Sequence, residues 1–499
     1  MIELGFEQKQ RIGFAYVMEL LTPASPYGRE LLRELQPACP GEETALRLEF
    51  QNIAKTLTAR LSLEKPYARL ENVFRQVKDI RGSIARIGGE LSDVDLFELK
   101  RYLLQLVEIV ALFGEINVET AYHGIVFEET LPALELLDPE KNRVAAFHIS
   151  GRYSHVLTAI RNEKREVEQQ LRTMLAGEER SALLERRGEL VAREQEEEGV
   201  IRAFLSRGLL PWMEAMSQNA DAIGRLDLTI QKAKLAAEHG GCMPTIGENL
   251  LSFNGMINPQ IAQWLTDKGR SFTPLSLSLQ AGATVLTGAN MGGKSVVLKT
   301  LALNVLLLHC GFYPFAQEAV CPLFDGLHLV SEDLEAADRG LSSFAGEIVR
   351  LEEVLQEAEK GRSLILLDEF AKGTNPAEGG AIARGVCAYL NAQSAYTVMA
   401  THYEGLSALA GAHYQVVGLQ RMDITDLFGK TAGASVEDRL ALIARCMDYG
   451  ILPAAGENLP MDAVNICRLL GLSEEILNLI EKFHTKFPGE SADEIAHSI

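Results

Sequence analysis

Residues 283–300 read ATVLTGANMGGKSVVLKT, and the rest of the chain takes its place from these eighteen positions. Gly288 to Ser295 fits G-x-x-x-x-G-K-S, with a strand-like run before it and a helical one after it. Glycine at 288, 292 and 293 lets the backbone curl with its amides pointing inward. Those amides and the helix N-terminus form a cradle for phosphate oxygens. On this reading Lys294 reaches the β- and γ-phosphates of a nucleotide and Ser295 holds Mg²⁺.

Downstream, SLILLDE (363–369) is an apolar run ending in two carboxylates. A buried strand delivering Asp368 beside the phosphate loop would complete the magnesium shell, and Glu369 would orient and deprotonate the attacking water. ATP or GTP hydrolysis is the chemistry this pair implies. ATHY (400–403) follows another apolar run, so His402 is expected at the C-terminal edge of a strand, where it could meet the γ-phosphate or the water. GLSSFAGEIVRLEEVL (340–355) opens a helix with Ser342 and Ser343 in its capping region and Glu347 in its first turns. Capping alone accounts for that pattern; an anion site completed from a second chain would need the same one.

Around these motifs the texture changes once, at HGGCMPT (239–245). Residues 1–240 read as nearly continuous helix. Apolar residues recur at three- and four-residue steps in 97–113, and breaks fall near Pro23–Pro26, Pro37–Pro40, Gly88–Gly89, Pro132 and Pro139. Residues 155–206 lack proline and are dense in Glu and Arg, which predicts a long helical arm held by ion pairs. From 241 on, short apolar runs alternate with helices; Leu275, Leu277 and Leu279 share one strand face, and Ala283–Thr287, Ser363–Leu367 and Tyr396–Ala400 are further strands. The expected fold class is mixed: a helical region over 1–240, an α/β ATPase domain over 241–420, and a closing helical segment over 421–499.

Composition sets limits. At 47% hydrophobic and 23% charged, the chain has the make-up of a globular protein. It shows neither a long apolar span nor a basic-then-apolar leader, and its seven cysteines are scattered, which points to a cytoplasmic protein without a membrane anchor, a disulfide framework or a zinc site. The net charge of −20 is shared between the halves, with 39 acidic against 31 basic residues in 1–250, giving −8, and −12 in the remainder. Neither half is a basic domain of the kind that grips phosphate backbones nonspecifically. Arg161, Lys164 and Arg165 could form a local basic patch, or simply a solvated helix face.

Taken together, TGANMGGKS, CPLFDG (321–326), GLSSFAGE, LILLDE, GTNPAEGGAIARG (373–385) and ATHYEGL (400–406) resemble the MutS family of ABC-class ATPases in order and spacing. The likeness is strong over 245–410. LLTPASPYGRELLREL and GRLDLTIQKAKLA (224–236) look like the family's helical core and lever, and NLPMDAVNICRLLGLSEEIL (458–477) like its closing helices. The resemblance implies that Ala289, Asn290 and Met291 belong to the ATP-binding loop, with Asn290 on the γ-phosphate side. It implies that Phe272 stacks on adenine, although a core position would suit that ring equally. It also implies that two ATPase domains pair head to tail, as a homodimer or heterodimer, so that Ser342 or Ser343 of one chain contacts the γ-phosphate held by the other.

The departures set the choice of load. The chain begins almost at once in the helical core, and no mismatch-reading domain is expected ahead of it. Phe113-Gly114-Glu115 and Phe127-Glu128-Glu129 fit the family's Phe-x-Glu wedge but lie inside the helical region. No β-rich clamp is expected within 155–206. FAKGTNP after the paired carboxylates resembles a divergent subgroup, the MutS-like ATPase that reactivates adenosylcobalamin-dependent lysine 5,6-aminomutase. Two partners are therefore expected as alternatives: duplex or branched DNA gripped without reading a mismatch, or a B12-dependent aminomutase.

Overall fold

A computed structural model describes residues 2, 4–118, 121–173, 177–288, 293–331, 343–418, 435, 437–439, 442–443, 448–454 and 462–486. By their contacts they divide into two units. One comprises residues 1–20, 36–50 and 235–499, the other residues 21–35 and 51–234. The sequence places all of 1–240 with the helices; the structure counts two early segments with the α/β unit. The reason is physical. Asn258 Nδ2 donates to the Ile12 carbonyl at 2.9 Å, Arg47 to the Ile246 carbonyl at 3.0 Å, and the His309 ring bonds the Ala38 carbonyl at 2.8 Å.

The second unit is helical, with a core running from Tyr27 through Leu99, Leu106 and Leu134 to Ile223 and Ile230. Its 24-residue helix Asp93–Ile116 contains the predicted amphipathic stretch. Ser92 caps it, accepting from the Asp95 N–H while the Asp95 carboxylate accepts from the Ser92 N–H, so two orphan donors are met at once. The rings of Phe113 and Phe127 meet edge to face at 5.0 Å, packed with that core. The phenylalanines of both Phe-x-Glu matches are therefore packing residues.

The predicted arm is a pair of helices, His155–Thr173 and Glu178–Leu209. They run antiparallel: Arg161 pairs with Glu194 and Glu198, while Glu163 and Glu168, further along the first helix, pair with Arg186 and Arg187, earlier on the second. Ile160, Val167 and Leu190 are buried between them. Two of the three members of the candidate basic patch are already neutralised: Arg161 bonds both glutamates at 2.8 Å, and Lys164 pairs with Glu194.

The first unit holds two sheets. We label the strands β1 Thr245–Ile246, β2 Leu251–Met256, β3 Leu275–Leu279, β4 Gly282–Thr287, β5 Glu318–Cys321, β6 Gly326–Val330, β7 Ser363–Asp368, β8 Tyr396–Ala400, β9 Ala412–Gly418 and β10 Asp448–Pro453. The smaller sheet has the order β1-β5-β2-β3, the larger β10-β9-β4-β8-β7-β6. All neighbours in the larger sheet are parallel except β9 and β10. β4, β6 and β8 are buried along their whole length, as strands covered on both faces must be. β3 alternates instead, with Leu275, Leu277 and Leu279 inward as the sequence predicts. The helix Lys294–His309 is apolar nearly all round and almost entirely buried, which marks it as the centre of this unit. No helix among the described residues is long and apolar enough to cross a membrane.

Candidate functional site

The parallel register brings the sequence-predicted groups to one edge of the larger sheet. β8 lies between β4 and β7, with Ala400 opposite both Leu286 and Asp368. The strand ends are tied: the Thr401 N–H donates to the Leu286 carbonyl at 3.0 Å and the Glu369 N–H to the Ala400 carbonyl at 2.9 Å. Gly288 after β4, the carboxylates at the end of β7 and the ATHY segment at the end of β8 therefore lie on the same side.

Glycine is required where the loop leaves and re-enters regular structure. Gly288 has φ +138, and a Cβ there would stand 2.9 Å from Val416 Cβ. Gly293, at φ +91, caps the following helix in the left-handed region, with Tyr449 already 3.0 Å from where a Cβ would be. Ala289, Asn290, Met291 and Gly292 lie outside the described residues, as does Ser342. The helix Ser343–Ala358 opens at Ser343 as expected.

Lys294 is the first residue of its helix and only 3% exposed. Its ammonium donates to the Gly288 carbonyl at 2.7 Å and stands 3.4 Å from Glu369 Oε1. Burial pulls the Lys294 ammonium below the usual lysine range, with Glu369 opposing that shift. For Glu369 burial would raise the carboxyl, but hydrogen bonds and charge from Lys372 and Lys294 hold it below its ordinary value. Lys372 supplies the closer contact, 2.8 Å to Oε2. Glu369 itself sits at φ +51 and Ala371 at φ +65, left-handed conformations unusual for residues with a side chain.

Asp368 behaves differently. Burial pushes its carboxyl above the ordinary range, with a Ser295 hydrogen bond opposing and the Glu369 charge adding to the rise. Its Oδ1 is buried with no hydrogen-bond partner among the described residues. A serine hydroxyl beside a carboxylate with one unmet oxygen is the hard, oxygen-only donor set that suits Mg²⁺, which takes its remaining ligands from phosphate and water. Among the described residues no three His, Cys, Asp or Glu side chains gather as a larger metal cage.

His402 follows β8 with its ring 4.4 Å from that of Tyr403. Burial lowers its pKa, with Glu369 opposing and Lys294 and Lys372 adding, so the ring belongs to the same electrostatic cluster. Phe272 is half-buried in the loop ahead of β3. Two residues with roles here escape the sequence reading: Lys372, three positions past Glu369, and Tyr403, whose hydroxyl donates to the Ala371 carbonyl at 2.8 Å. Adjacency to the motifs was the only available signal for either.

A buried lysine at a helix start beside paired carboxylates at the strand ends is an arrangement suited to nucleotide phosphates. A family model, MutS domain V, matches residues 284–469. The DNA mismatch repair protein MutS of Thermus caldophilus is 30% identical over 398 residues, which cover 76% of this chain and 45% of that protein. The MutS of Thermus thermophilus is 37% identical over 200 residues, 40% of this chain and 23% of its own length. Endonuclease MutS2 of Halothermothrix orenii is 26% identical over 392 residues, 76% of this chain and 46% of its own. The chain belongs to the MutS family. It spans less than half the length of these relatives.

Proposed function

We propose that this chain binds MgATP at the ends of β4, β7 and β8, hydrolyses it in a composite dimer site, and uses the resulting closure to move its helical region as a lever on DNA. The observation that carries this reading is the convergence of Lys294, Ser295, Asp368 and Glu369 on one sheet edge, in a chain whose relatives are named for DNA repair and for an endonuclease. Lys294 meets phosphate charge from a buried position, where a cation acts more strongly than in water. Ser295 and Asp368 would hold Mg²⁺, which when bound offsets charge on the phosphate oxygens. Glu369, held ionised by Lys372 and Lys294, takes the proton of the attacking water once the nucleotide draws Lys294 toward its phosphates. His402, kept neutral by burial, orients that water. Ser342 and Ser343 of a second chain close the γ-phosphate side, and Phe272 stacks on the adenine. In this scheme 1–240, apart from the segments 1–20 and 36–50 that belong to the α/β unit, acts as lever and body, 241–420 as the ATPase, and 421–499 completes the dimer region.

A second reading makes the load a protein: the ATPase subunit of a reactivase for an adenosylcobalamin-dependent aminomutase. It is favoured by the arm, where Arg161 and Lys164 are neutralised by Glu194 and Glu198 instead of presented to a phosphate backbone. One experiment separates the two. ATPase rate is measured with and without plasmid and branched DNA over a salt series. Stimulation that fades as salt rises supports the DNA load; a flat response to DNA together with stimulation by the aminomutase supports the protein load. Absence of hydrolysis under every condition sinks both.

A further inference from the structure

The helix Ser343–Ala358 and the loop after β7 are joined by a hydrogen bond at Ala371. Glu347, in the helix's second turn, is 5% exposed, and its Oε2 accepts the Ala371 N–H at 3.0 Å. From the other side the Tyr403 hydroxyl donates to the Ala371 carbonyl at 2.8 Å. Gly379 leaves space for this clamp, since a Cβ there would fall 2.3 Å from the Tyr403 hydroxyl and 2.6 Å from the Ala371 oxygen. Glu347 and Tyr403 also feel one another: burial raises the tyrosine pKa first, and the Glu347 charge adds to the rise.

The clamped residue is one that needs holding. Left-handed backbone is unfavourable for an L-residue, and Glu369 and Ala371 both adopt it. Such conformations persist where the surroundings over-determine them. Ala371 is fully buried, and Phe370 and Ala371 pack in one cluster with Leu351 and Val354 of the same helix. Packing alone would be served by an apolar residue at 347. A buried carboxylate is costly unless its hydrogen bond matters, and this one grips the backbone two residues beyond Glu369.

We propose that Glu347 is a positioning residue for hydrolysis: by holding the Ala371 peptide from the helix that opens at Ser343, it fixes the left-handed loop presenting the Glu369 carboxylate. The position of the base is thereby tied to the position of that helix. A shift of the helix is transmitted through this side chain, alongside the packing of Leu351 and Val354, to the loop that carries Glu369. This rests on the ATPase reading above.

The test is steady-state kcat and KM for MgATP in the full chain, with wild type, E347A, E347Q, Y403F and E369Q side by side and thermal unfolding of each recorded. E347A is expected to lower kcat by roughly 10²-fold, the scale of an ångström-sized misplacement, with KM nearly unchanged. E347Q, whose amide oxygen accepts the same N–H, recovers most of it. If E347A does not fold, Y403F removes the grip on the carbonyl of the same residue and is expected to lower kcat in the same way. Unchanged kcat in E347A, or in Y403F where E347A is unfolded, overturns the inference, as does E347Q no more active than E347A at equal stability. Wild type that hydrolyses while E369Q does not, with E347A normal, overturns this inference alone. Wild type lacking hydrolysis that depends on Glu369 overturns the ATPase reading and this inference together.

Discussion

In the arm, Arg161, Lys164, Arg186 and Arg187 each face a glutamate across two antiparallel helices, in contacts at least partly open to water. At the sheet edge Lys294, Asp368 and Glu369 carry the same kinds of charge, but burial shifts the first two away from their ordinary ionisation, and Asp368 keeps an oxygen without a partner among the described residues. Solvent lets the arm's charges settle into pairs of about 0–1 kcal/mol each. Desolvation leaves those at the strand ends unsettled, and that remainder is available to a ligand. Charge density therefore marks function poorly; what matters is whether the structure lets the charges satisfy one another.

The comparison can be broken most severely at Glu369. Glu369→Gln is expected to reduce turnover by roughly 10²–10⁴-fold, the usual contribution of a general base, while leaving ATP binding intact in an equilibrium titration. Single-turnover hydrolysis at the wild-type rate would remove the base from the sheet edge. Next in size, Ser342→Ala combined with Ser343→Ala is expected to lower turnover by ~10²–10³-fold, as loss of charge-stabilising donors does, again with ATP still bound. Normal turnover in that pair would mean that each chain works alone.

A smaller effect concerns His309, which burial depresses to about 4 from an ordinary value of about 6.5. The fold keeps this ring neutral while the unfolded chain takes up a proton first. Its contribution is therefore complete above pH ~6.5 and is lost as pH falls toward ~4, amounting to about 3 kcal/mol. Denaturant unfolding across that window should show the slope in wild type and a flatter one in His309→Gln; equal slopes would contradict the assignment. Smallest of all, Arg161→Ala should destabilise by roughly 1 kcal/mol, as loss of a partly exposed ion-pair network does, and leave the ATPase rate unchanged. A large fall in DNA affinity in Arg161→Ala would instead show that the arm's cations exchange their glutamates for phosphates.

Much of the larger sheet was legible because its cause is local. β4, β7 and β8 are apolar runs of strand length, and Gly288 and Gly293 announce a backbone that only glycine takes easily. Asp368 and Glu369 were legible because they stand at the end of such a run, and Lys294 because it opens the helix that follows the glycines. The pairing of Arg161 with Glu194 was not, since it depends on the register of two helices whose partners lie 33 residues apart. Glu347 read as a capping residue, because nothing near it in sequence discloses the Ala371 amide that it accepts from, 24 residues away. The early segments of the α/β unit were hidden most completely. Ile12 and Ala38 contribute backbone carbonyls there, and every residue type carries one.

That last feature bears on how the molecule is made. Residues 1–20 and 36–50 leave the ribosome long before their partners: Ile12 waits 246 residues for Asn258, and Ala38 waits 271 for His309. At ~5–20 residues per second, the delay is on the order of ten seconds to a minute. Through it the Phe50 carbonyl that Tyr313 will bond, and the apolar surface beside it, have no native counterpart. Long-range closure of this kind slows folding and makes the nascent chain a client for holding chaperones. It also means that a cut at residue 240 would separate the α/β unit from part of its own interior, so the two halves expressed together should complement one another better than either folds alone.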